Sequence, residues 1–356
     1  MHRVLKLLRG RHASVLAAAL GVAVLVAAPG MPGAAAAPAG HAAPPVGMVN
    51  EYLMPLPRLG STHELVIGPD GNLWVSQQLE NRVLRVSTTG RVMGITDFPD
   101  NSGPHGIDKD WRGHVWVTEE FTNALVELDT TGKRIARYPL PSPGAGPHGL
   151  RIGCDGHTVW WTGKENGTVG SFDPRTDEWT VHRLAPDSEP IYLARGPRCA
   201  MFFTELTANR IGRIDTNGHL REYDIPTPDS RPIAVVAGRR GTVWFTEEAG
   251  AAYAELDPDS GRITEHRTDV EGAKLAALDF DCFGNLWVQY NEPGLIDRVR
   301  PDFTTTRYTL PTTVPVGHRI TSGPDGSMWF TELAADTVGS ITTGCPPPHQ
   351  RPEPTA

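Results

Sequence analysis

The sequence has little that would hold the chain in a membrane or on a nucleic acid. Beyond one apolar run near the N terminus, no segment approaches the roughly 18 consecutive apolar residues of a spanning helix. Basic residues form no cluster and are outnumbered, with 33 Lys and Arg against 41 Asp and Glu. An acidic surface repels phosphate backbones, so we expect no nucleic-acid partner. Only four cysteines are present, and their spacing is not that of a metal site.

The apolar run, Ser14–Ala28, follows a basic start and precedes the small residues Ala34–Pro38. This order predicts a secretory signal peptide over residues 1–36, followed by a linker over residues 37–47. An uncleaved membrane anchor is the alternative. Cleavage would remove four basic and no acidic side chains, which leaves 29 Lys and Arg against 41 Asp and Glu. We therefore expect a secreted, acidic, monomeric protein without a membrane span.

A tryptophan-centred motif returns seven times in the chain. Its central residues, called the anchors below, are separated by 42, 44, 42, 42, 43 and 42 residues: Trp74, Trp116, Trp160, Phe202, Trp244, Trp287 and Trp329. Around the anchors, short alternating strands are separated by Gly, Pro and Asp turns, as in Arg231–His266. A period of about 40 to 45 residues is typical of a four-stranded propeller blade. The sequence predicts an all-β fold, a seven-bladed β-propeller over residues 48–344, with a proline-rich tail over residues 345–356.

One outer-strand segment is out of place in this pattern. Glu51–Pro55 resembles the outer strands Arg137–Pro141 and Glu222–Pro226, but it stands before the first repeat. The last repeat, in contrast, stops after Thr342. We therefore expect the N-terminal strand to supply the outer strand of the seventh blade, which would close the ring and remove its exposed sheet edges.

An even number of cysteines in an exported protein predicts disulfides. Four cysteines allow three connectivities. Cys154 and Cys199 lie in similar hairpin turns of successive repeats, which favours that pair and leaves Cys282 with Cys345. Four unpaired thiols are the alternative.

The start of the innermost strand, eleven or twelve residues before the anchor, differs from blade to blade. This rim position is occupied in chain order by His63, His105, His148, Ile191, Ile233, Ala276 and His318. In a closed ring the four histidines fall on consecutive blades. Because the first two strands of a blade are antiparallel, acids just past the anchors should share the face of the histidines, at the channel mouth. These acids are Glu119, Glu120, Glu205, Glu247, Glu248 and Glu332.

Several roles are open to these side chains. Imidazole near neutral pH can accept a proton, bind a metal ion or donate a hydrogen bond. The rim histidines could line a wet channel, contact a substrate or act as a base. They could also bind a metal ion, which requires nitrogens within about 2.1 Å of one point. The recurring Thr-Glu pair favours a role as blade-to-blade hydrogen-bond acceptors for most of the acids, and we expect the anchors to pack between sheets.

The stretches Phe202–Glu205, Asn209–Ile214 and Glu222–Pro228 contain the most characteristic form of the repeat. It resembles that of the streptogramin B lyase (virginiamycin B lyase) family, over all seven repeats from Asn50 to Thr343. The resemblance implies a seven-bladed propeller that opens a cyclic depsipeptide at its ester by a Mg²⁺-dependent elimination, without water. In such a reaction a metal polarises a carbonyl and a histidine removes the neighbouring proton.

The family pattern has a histidine at the sixth rim position, a Glu-Pro-His in the seventh blade and an acid after the seventh anchor. His318 matches the seventh-blade histidine, which implies a catalytic role. Glu332 is near the acid, with Leu333 as the strict match, and is the implied Mg²⁺ ligand. Ala276 stands for the sixth-blade histidine, and Val316 and Gly317 stand for the Glu-Pro.

We therefore expect a secreted lyase-like propeller that binds a small cyclic ester at the mouth of its channel. His318 would be the base, and His63, His105 and His148 would bind substrate. Mg²⁺, with Glu332 as a ligand, is the cofactor that the resemblance implies. A non-catalytic propeller that binds a ligand or a protein at the same rim is the first alternative. A metal-dependent lactone hydrolase is the second.

Overall fold

The computed structural model describes residues 45–55 and 61–347. The predicted signal peptide lies outside these residues, as do residues 37–44 of the linker and residues 348–356 of the tail. Within the described ranges, no helix has both the length and the apolarity that crossing a membrane would require. Secretion stays a prediction from the sequence.

The described chain forms seven four-stranded antiparallel sheets, which confirms the predicted seven-bladed β-propeller. Blade one contains β2 (Thr62–Ile67), β3 (Leu73–Gln77), β4 (Arg82–Val86) and β5 (Val92–Asp97). Blade two contains β6 (Pro104–Lys109), β7 (Val115–Glu119), β8 (Ala124–Leu128) and β9 (Arg134–Pro139). Blade three contains β10 (Pro147–Ile152), β11 (Val159–Gly163), β12 (Thr168–Asp173) and β13 (Glu178–Arg183). Blade four contains β14 (Pro190–Arg195), β15 (Met201–Glu205), β16 (Arg210–Ile214) and β17 (Leu220–Asp224).

Blade five contains β18 (Pro232–Ala237), β19 (Val243–Glu247), β20 (Ala252–Asp257) and β21 (Arg262–Arg267). Blade six contains β22 (Lys274–Phe280), β23 (Leu286–Glu292), β24 (Leu295–Val299) and β25 (Thr305–Thr309). Blade seven contains β26 (Gly317–Ser322), β27 (Met328–Glu332), β28 (Thr337–Ile341) and, as its outer strand, β1 (Val49–Leu53). Short 3₁₀ turns lie at Pro197–Cys199 and Arg239–Gly241. Each innermost strand packs against those of its two neighbours, and β2 packs against β26, so the ring is closed.

The core lies between the sheets and is built around the anchors. Four of the six tryptophan anchors, and Phe202 in the place of a seventh, are fully buried. The indole N–H of Trp74 donates a hydrogen bond of 2.9 Å to Asp70 in the tight turn before it. Trp329 and Asp325 repeat this contact at the same distance. A buried indole needs such a partner, so in these two blades the anchor and its turn form one scaffold unit.

The N-terminal strand completes blade seven. β1 pairs with β28 from Val49 opposite Ile341 to Leu53 opposite Thr337. The ring of Tyr52 stacks on Trp329 with 6.0 Å between ring centres, and Met54 is buried in the core. The ring is therefore closed by backbone pairing between the two ends of the described chain.

Two disulfides join neighbouring blades, and their pairing is the one that the sequence favoured. Cys154–Cys199 links blades three and four, and Cys282–Cys345 links blade six to the residues after β28. Three of these cysteines lie in turns between a first and a second strand. Such turns are at the opposite end of the strands from the rim position, so the disulfides tie the blades together away from the channel mouth.

Candidate functional site at the channel mouth

The innermost strand of every blade begins with a β-bulge. In β6, Pro104 pairs with Glu119 and Ile107 pairs with Val117, so two residues between these pairs on β6 face one residue on β7. A comparable shift in register occurs in the other six blades. A bulge re-aims side chains relative to the regular alternation of a strand. The rim residue and the residue after it are therefore both free to approach the channel.

A hydroxyl in the second strand positions the rim residues. Six blades have Ser or Thr two residues after the anchor: Ser76, Thr118, Thr162, Thr204, Thr246 and Thr331. The hydroxyl of Thr118 accepts a hydrogen bond from the N–H of Gly106 in its own blade (2.8 Å) and donates one to the carbonyl of His148 in the next (3.1 Å). Hydroxyls of the preceding blades bond the carbonyls of His105 and His63 in the same way, at 2.7 and 2.6 Å. Neighbouring blades thus hold three of the rim histidines in place.

The four rim histidines, called the histidine cluster below, lie together. Ring centres are 4.9 Å apart for His63 and His105, 4.9 Å for His63 and His318, and 5.4 Å for His105 and His318. His148 packs on His105 with 3.8 Å between ring centres. His63, His105 and His148 are buried, whereas His318 is half-buried. The structure therefore brings together all four histidines that the repeat pattern selected.

Burial determines the charge of three of these imidazoles. Burial, together with the nearby ring of His318, lowers the pKa of His63 to about 3. Burial also lowers the pKa of His105 and of His148 well below its ordinary value. The Nδ1–H of His63 donates a hydrogen bond to the carbonyl of Ser61 (2.7 Å). The Nδ1 atoms of His105 and His148 are buried and have no hydrogen-bond partner among the described residues.

Sequence reasoning missed two side chains that contact His318. The hydroxyl of Tyr192 lies 3.1 Å from Nδ1 of His318, and the carboxylate of Glu64 lies 3.6 Å from the same atom. Burial alone would raise the pKa of Glu64, but Arg319 and His318 outweigh it and hold that pKa at about 2. Burial raises the pKa of Tyr192 well above its ordinary value. A charged carboxylate and a protonated phenol therefore both face His318.

A cavity of about 300 Å³ opens beside the histidine cluster. His148, Tyr192 and His318 form part of its lining. Apolar residues form another part: Ile191, Leu206, Ile233, Ala276, Val316 and Leu333. Lys164 and Arg231 supply positive charge at the same cavity. A mainly apolar concavity with a few polar groups is typical of a small-molecule site.

The position four residues after each anchor forms a second ring of side chains, called the mouth ring below. It consists of Gln78, Glu120, Lys164, Leu206, Glu248, Asn291 and Leu333. Glu120 accepts a hydrogen bond from Gln78 (2.7 Å) and lies 3.7 Å from the ammonium of Lys164. Burial raises the pKa of Glu120 to about 7. The signal for these residues was available in the sequence, because each follows the recurring Thr-Glu position by one residue.

Glu332 does not line this cavity, whereas the next residue, Leu333, does. The backbone of Glu332 pairs with Gly317, so it lies at the same end of the blade as His318. Its carboxylate, however, is buried close to Glu51 on the outer strand and Thr312. Burial, with repulsion from Glu51, raises the pKa of Glu332 to about 8.

The other acids of the Thr-Glu type also lie near the outer strand of their own blade, and not at a neighbouring blade as the sequence favoured. Glu119 accepts hydrogen bonds from Arg134 (3.2 Å) and Arg137 (2.8 Å) on the outer strand of its blade. Glu205 and Glu247 lie near the outer-strand acids Glu222 and Glu265. Side chains alternate along a strand. The residue three positions after the anchor therefore points toward the outer strand of its own blade, and the residue four positions after the anchor points toward the channel mouth.

A further group of possible metal ligands, Asp110, His114 and Glu127, lies away from the cavity. The guanidinium of Arg112 bonds both carboxylates at 2.7 Å, and Nδ1 of His114 lies 2.7 Å from Glu127. The guanidinium of Arg112 therefore already compensates the charge of the two carboxylates in this group.

Comparison with known proteins decides the family. The model of the virginiamycin B lyase family matches residues 42–158 and 134–346. The chain belongs to the virginiamycin B lyase family. A virginiamycin B lyase from Nocardia farcinica is 32% identical over 207 residues, which make up 55% of this chain and 66% of that relative. The match therefore spans slightly less than two thirds of the relative's length.

Solved structures share the propeller. A streptogramin B lyase is 26% identical, with a TM-score of 0.77, and the superposition covers 83% of this chain and 98% of the other. A catalytically inactive histidine-to-alanine variant of virginiamycin B lyase from Staphylococcus aureus, solved with quinupristin, is 23% identical, with a TM-score of 0.76 and coverage of 83% and 99%. At 23% identity, the likeness to the Staphylococcus aureus structure shows the fold alone.

The Mg²⁺ ion that the resemblance to the virginiamycin B lyase family implied does not fit the residues at the positions of the family pattern. Mg²⁺ prefers oxygen ligands in octahedral geometry. Three positions of the family pattern hold Ala276, Val316 and Leu333 here, and all three line the cavity with apolar side chains. The carboxylate of Glu332 lies beside Glu51 instead. The cavity wall is apolar at these positions, whereas Glu189 and Asn291 contribute polar side chains elsewhere in the lining.

Proposed function

We propose that the protein is exported and binds a small cyclic ester of the depsipeptide type at its channel mouth, where it opens the ring by a lyase-like elimination. The observation that carries the proposal is the lining of one cavity by two imidazoles, those of His148 and His318, and by an apolar wall. Membership of the virginiamycin B lyase family supports the reaction type. The apolar wall suits the side chains of a hydrophobic peptide.

In this reaction a base removes a proton from the carbon next to a carbonyl group. The electron pair forms a carbon–carbon double bond, and the neighbouring carbon–oxygen bond of the ester breaks to release a carboxylate. No water is consumed. We propose His318 as the residue on which the reaction depends, since Glu64 and Tyr192 fix its ring against the cavity. Lys164 and Arg231 supply positive charge for the departing carboxylate.

Incubation of the purified protein with a streptogramin B depsipeptide tests this function. Elimination gives a linear product with the mass of the substrate, whereas hydrolysis adds the mass of one water, so mass spectrometry separates the two reactions. We expect a product of unchanged mass, and a loss of rate by roughly 10²- to 10⁴-fold in His318→Ala, the usual contribution of a general base. His219→Ala is the matched control because His219 is exposed in a turn. An active His318→Ala variant would contradict the proposal.

A second candidate function is non-catalytic binding of the same class of ligand. It is favoured by Ala276, Val316 and Leu333, which stand at three positions of the family pattern but keep the cavity. Saturable binding of the depsipeptide without turnover, with binding weakened by Leu333→Asp, would favour this function over the first.

A further inference from the structure

Three of the imidazoles have the spacing of a metal site. The ring centres of His63, His105 and His318, called the histidine triangle below, are 4.9, 4.9 and 5.4 Å apart. One nitrogen of each ring lies within 4.8 Å of a nitrogen of each other ring. An ion about 2.0 to 2.1 Å from one nitrogen of each imidazole would hold the three ring centres about 5 Å apart. His148, whose ring centre lies 3.8 Å from that of His105, forms an adjoining group of possible ligands with His105 and Glu120.

Groups around the triangle orient the rings as metal ligands are usually oriented. A ligating histidine commonly donates its second N–H to a carbonyl or a carboxylate. The Nδ1–H of His63 donates to the carbonyl of Ser61 (2.7 Å), which leaves Nε2 as the atom with a free electron pair. Nδ1 of His318 lies 3.6 Å from the carboxylate of Glu64. The ring of His63 is therefore held with Nε2 available to an ion, whereas the hydroxyl of Tyr192 lies 3.1 Å from Nδ1 and 3.3 Å from Nε2 of His318.

Polar atoms without partners point to a missing occupant. Nδ1 of His105 and Oε1 of Glu64 are buried and have no hydrogen-bond partner among the described residues. Buried polar atoms without a partner are uncommon, and each needs an explanation. Arg319 at 3.7 Å and His318 at 3.6 Å compensate the charge of Glu64, so Nδ1 of His105 is the atom that most clearly lacks a partner.

From this geometry we infer that His63, His105 and His318 bind one divalent transition-metal ion of the zinc type at the mouth of the channel. Imidazole suits zinc, iron, copper and nickel, whereas Mg²⁺ and Ca²⁺ prefer oxygen ligands. Three protein ligands leave a fourth position open, as in catalytic zinc sites. The metal centre would then lie on blades seven, one and two, whereas the apolar wall occupies three positions of the family pattern.

The inference deepens the proposed function and rests on it only for the identity of the substrate. With the ion bound, His318 would serve as a ligand instead of as the base of the ion-free reaction proposed above, and the ion would polarise a carbonyl group at the cavity. His148, which lines the cavity and lies outside the triangle, would be the imidazole left to accept a proton.

Metal binding to the chain tests the inference without any substrate. The protein is stripped with a chelator, and Zn²⁺ is titrated by calorimetry and Co²⁺ by visible absorption. We expect one ion per chain and the visible absorption bands of four-coordinate Co²⁺. His63→Ala and His105→Ala should weaken Zn²⁺ binding by more than the roughly 10- to 100-fold typical of second-shell changes. His148→Ala and the exposed His219→Ala should retain it to within a few-fold. Circular dichroism checks folding, and His63→Gln and His105→Gln replace any alanine variant that does not fold.

Three results would overturn the inference: no stoichiometric Zn²⁺ or Co²⁺, unchanged affinity in the His63 and His105 variants, or loss of the ion in His114→Ala instead. The last result would place the ion at Asp110, His114 and Glu127. Failure of the two proposals is distinguishable. Ring opening without metal binding would contradict only the inferred metal site. Metal binding without ring opening would contradict only the proposed lyase function.

Discussion

Four histidines that occupy the same position in their blades have different neighbours. Nδ1 of His63 bonds a carbonyl, Nδ1 of His318 faces a carboxylate and a phenol, and Nδ1 of His105 and of His148 has no partner in the described chain. The position of each ring follows from the repeat, since hydroxyls of preceding blades hold the carbonyls of three of them. The chemistry of each ring follows from the neighbours that the repeat does not specify.

The hydroxyl of Thr118 offers a test at the scale of one residue. Thr118→Val keeps the shape of the side chain but leaves the N–H of Gly106 and the carbonyl of His148 without this partner. We expect the free energy of unfolding, measured by urea denaturation, to fall by about 1 to 3 kcal/mol, the cost of unsatisfied buried groups. Thr118→Ser retains the hydroxyl and should recover most of the loss. Equal stability of the Val variant and the wild type would contradict this role.

Residue-level prediction from the sequence succeeded for the rim histidines and failed for their partners. The rim position could be counted from the anchors, because the spacing between the first two strands is nearly constant. Glu64 and Tyr192 were missed because each follows a rim residue, and regular alternation would turn it away from the channel. The β-bulges at Thr62/Leu65 and Pro190/Leu193 remove that alternation.

Along the second strand of a blade, two neighbouring residues can have different roles, one in the scaffold and the other in the candidate site. Glu332, three residues after its anchor, is buried against the outer strand of its own blade, and Leu333 lines the cavity. The family pattern matches Leu333 strictly, but the acidic side chain belongs to Glu332, and the prediction from the sequence followed the acid. The side-chain alternation at the end of β27 decides which of the two faces a ligand.

Three buried acids at the ends of the second strands should also make the stability of the fold depend on pH. Burial raises the pKa of Glu332 to about 8, of Glu205 to about 8 and of Glu247 to about 7, from an ordinary value of 4.5. The folded state therefore binds more protons than the unfolded state between about pH 4.5 and 8. Their contribution to stability is complete below the ordinary pKa and is lost as the pH rises through the folded pKa.

We accordingly predict that the free energy of unfolding of the wild type declines from about pH 5 to about pH 9 through these three groups. Glu332→Gln removes one titrating group, so the decline should be shallower in this variant, and shallower again in the triple variant with Glu205→Gln and Glu247→Gln. Urea denaturation at a series of pH values provides the measurement. Glu178→Gln, on an exposed outer strand, is the control. A triple variant with the wild-type slope would show that these acids titrate normally.

For the whole molecule, the closure of the ring rests on a short N-terminal strand. The seven-fold repeat and the misplaced outer-strand segment were sufficient to predict this closure, since each blade needs four strands. β1 contributes five residues to blade seven, and the buried Met54 follows directly. The residues before position 45 lie outside the described structure, so the export prediction has no structural counterpart.

Adjacent residues of this segment supply a matched pair of variants. Met54 is 1% exposed and Leu53 is 68% exposed. Met54→Ala should lower the free energy of unfolding by about 2 to 5 kcal/mol, the range for large-to-small changes in a core. Leu53→Ala should change it by less than about 0.5 kcal/mol. Similar effects of the two variants on chemical denaturation would show that the N-terminal segment does not hold blade seven closed.

The mouth ring has a consequence for how new ligands could be accommodated. Each blade contributes one mouth-ring residue at the end of its second strand, and the disulfides and anchors lie elsewhere. Seven codons therefore encode this ring, and contacts such as those of Glu120 with Gln78 and Lys164 couple some of its positions. A combinatorial library randomised at Gln78, Glu120, Lys164, Leu206, Glu248, Asn291 and Leu333 would sample many rims on one unchanged frame. Single substitutions at the same positions would allow natural variants to acquire new ligands in the same way.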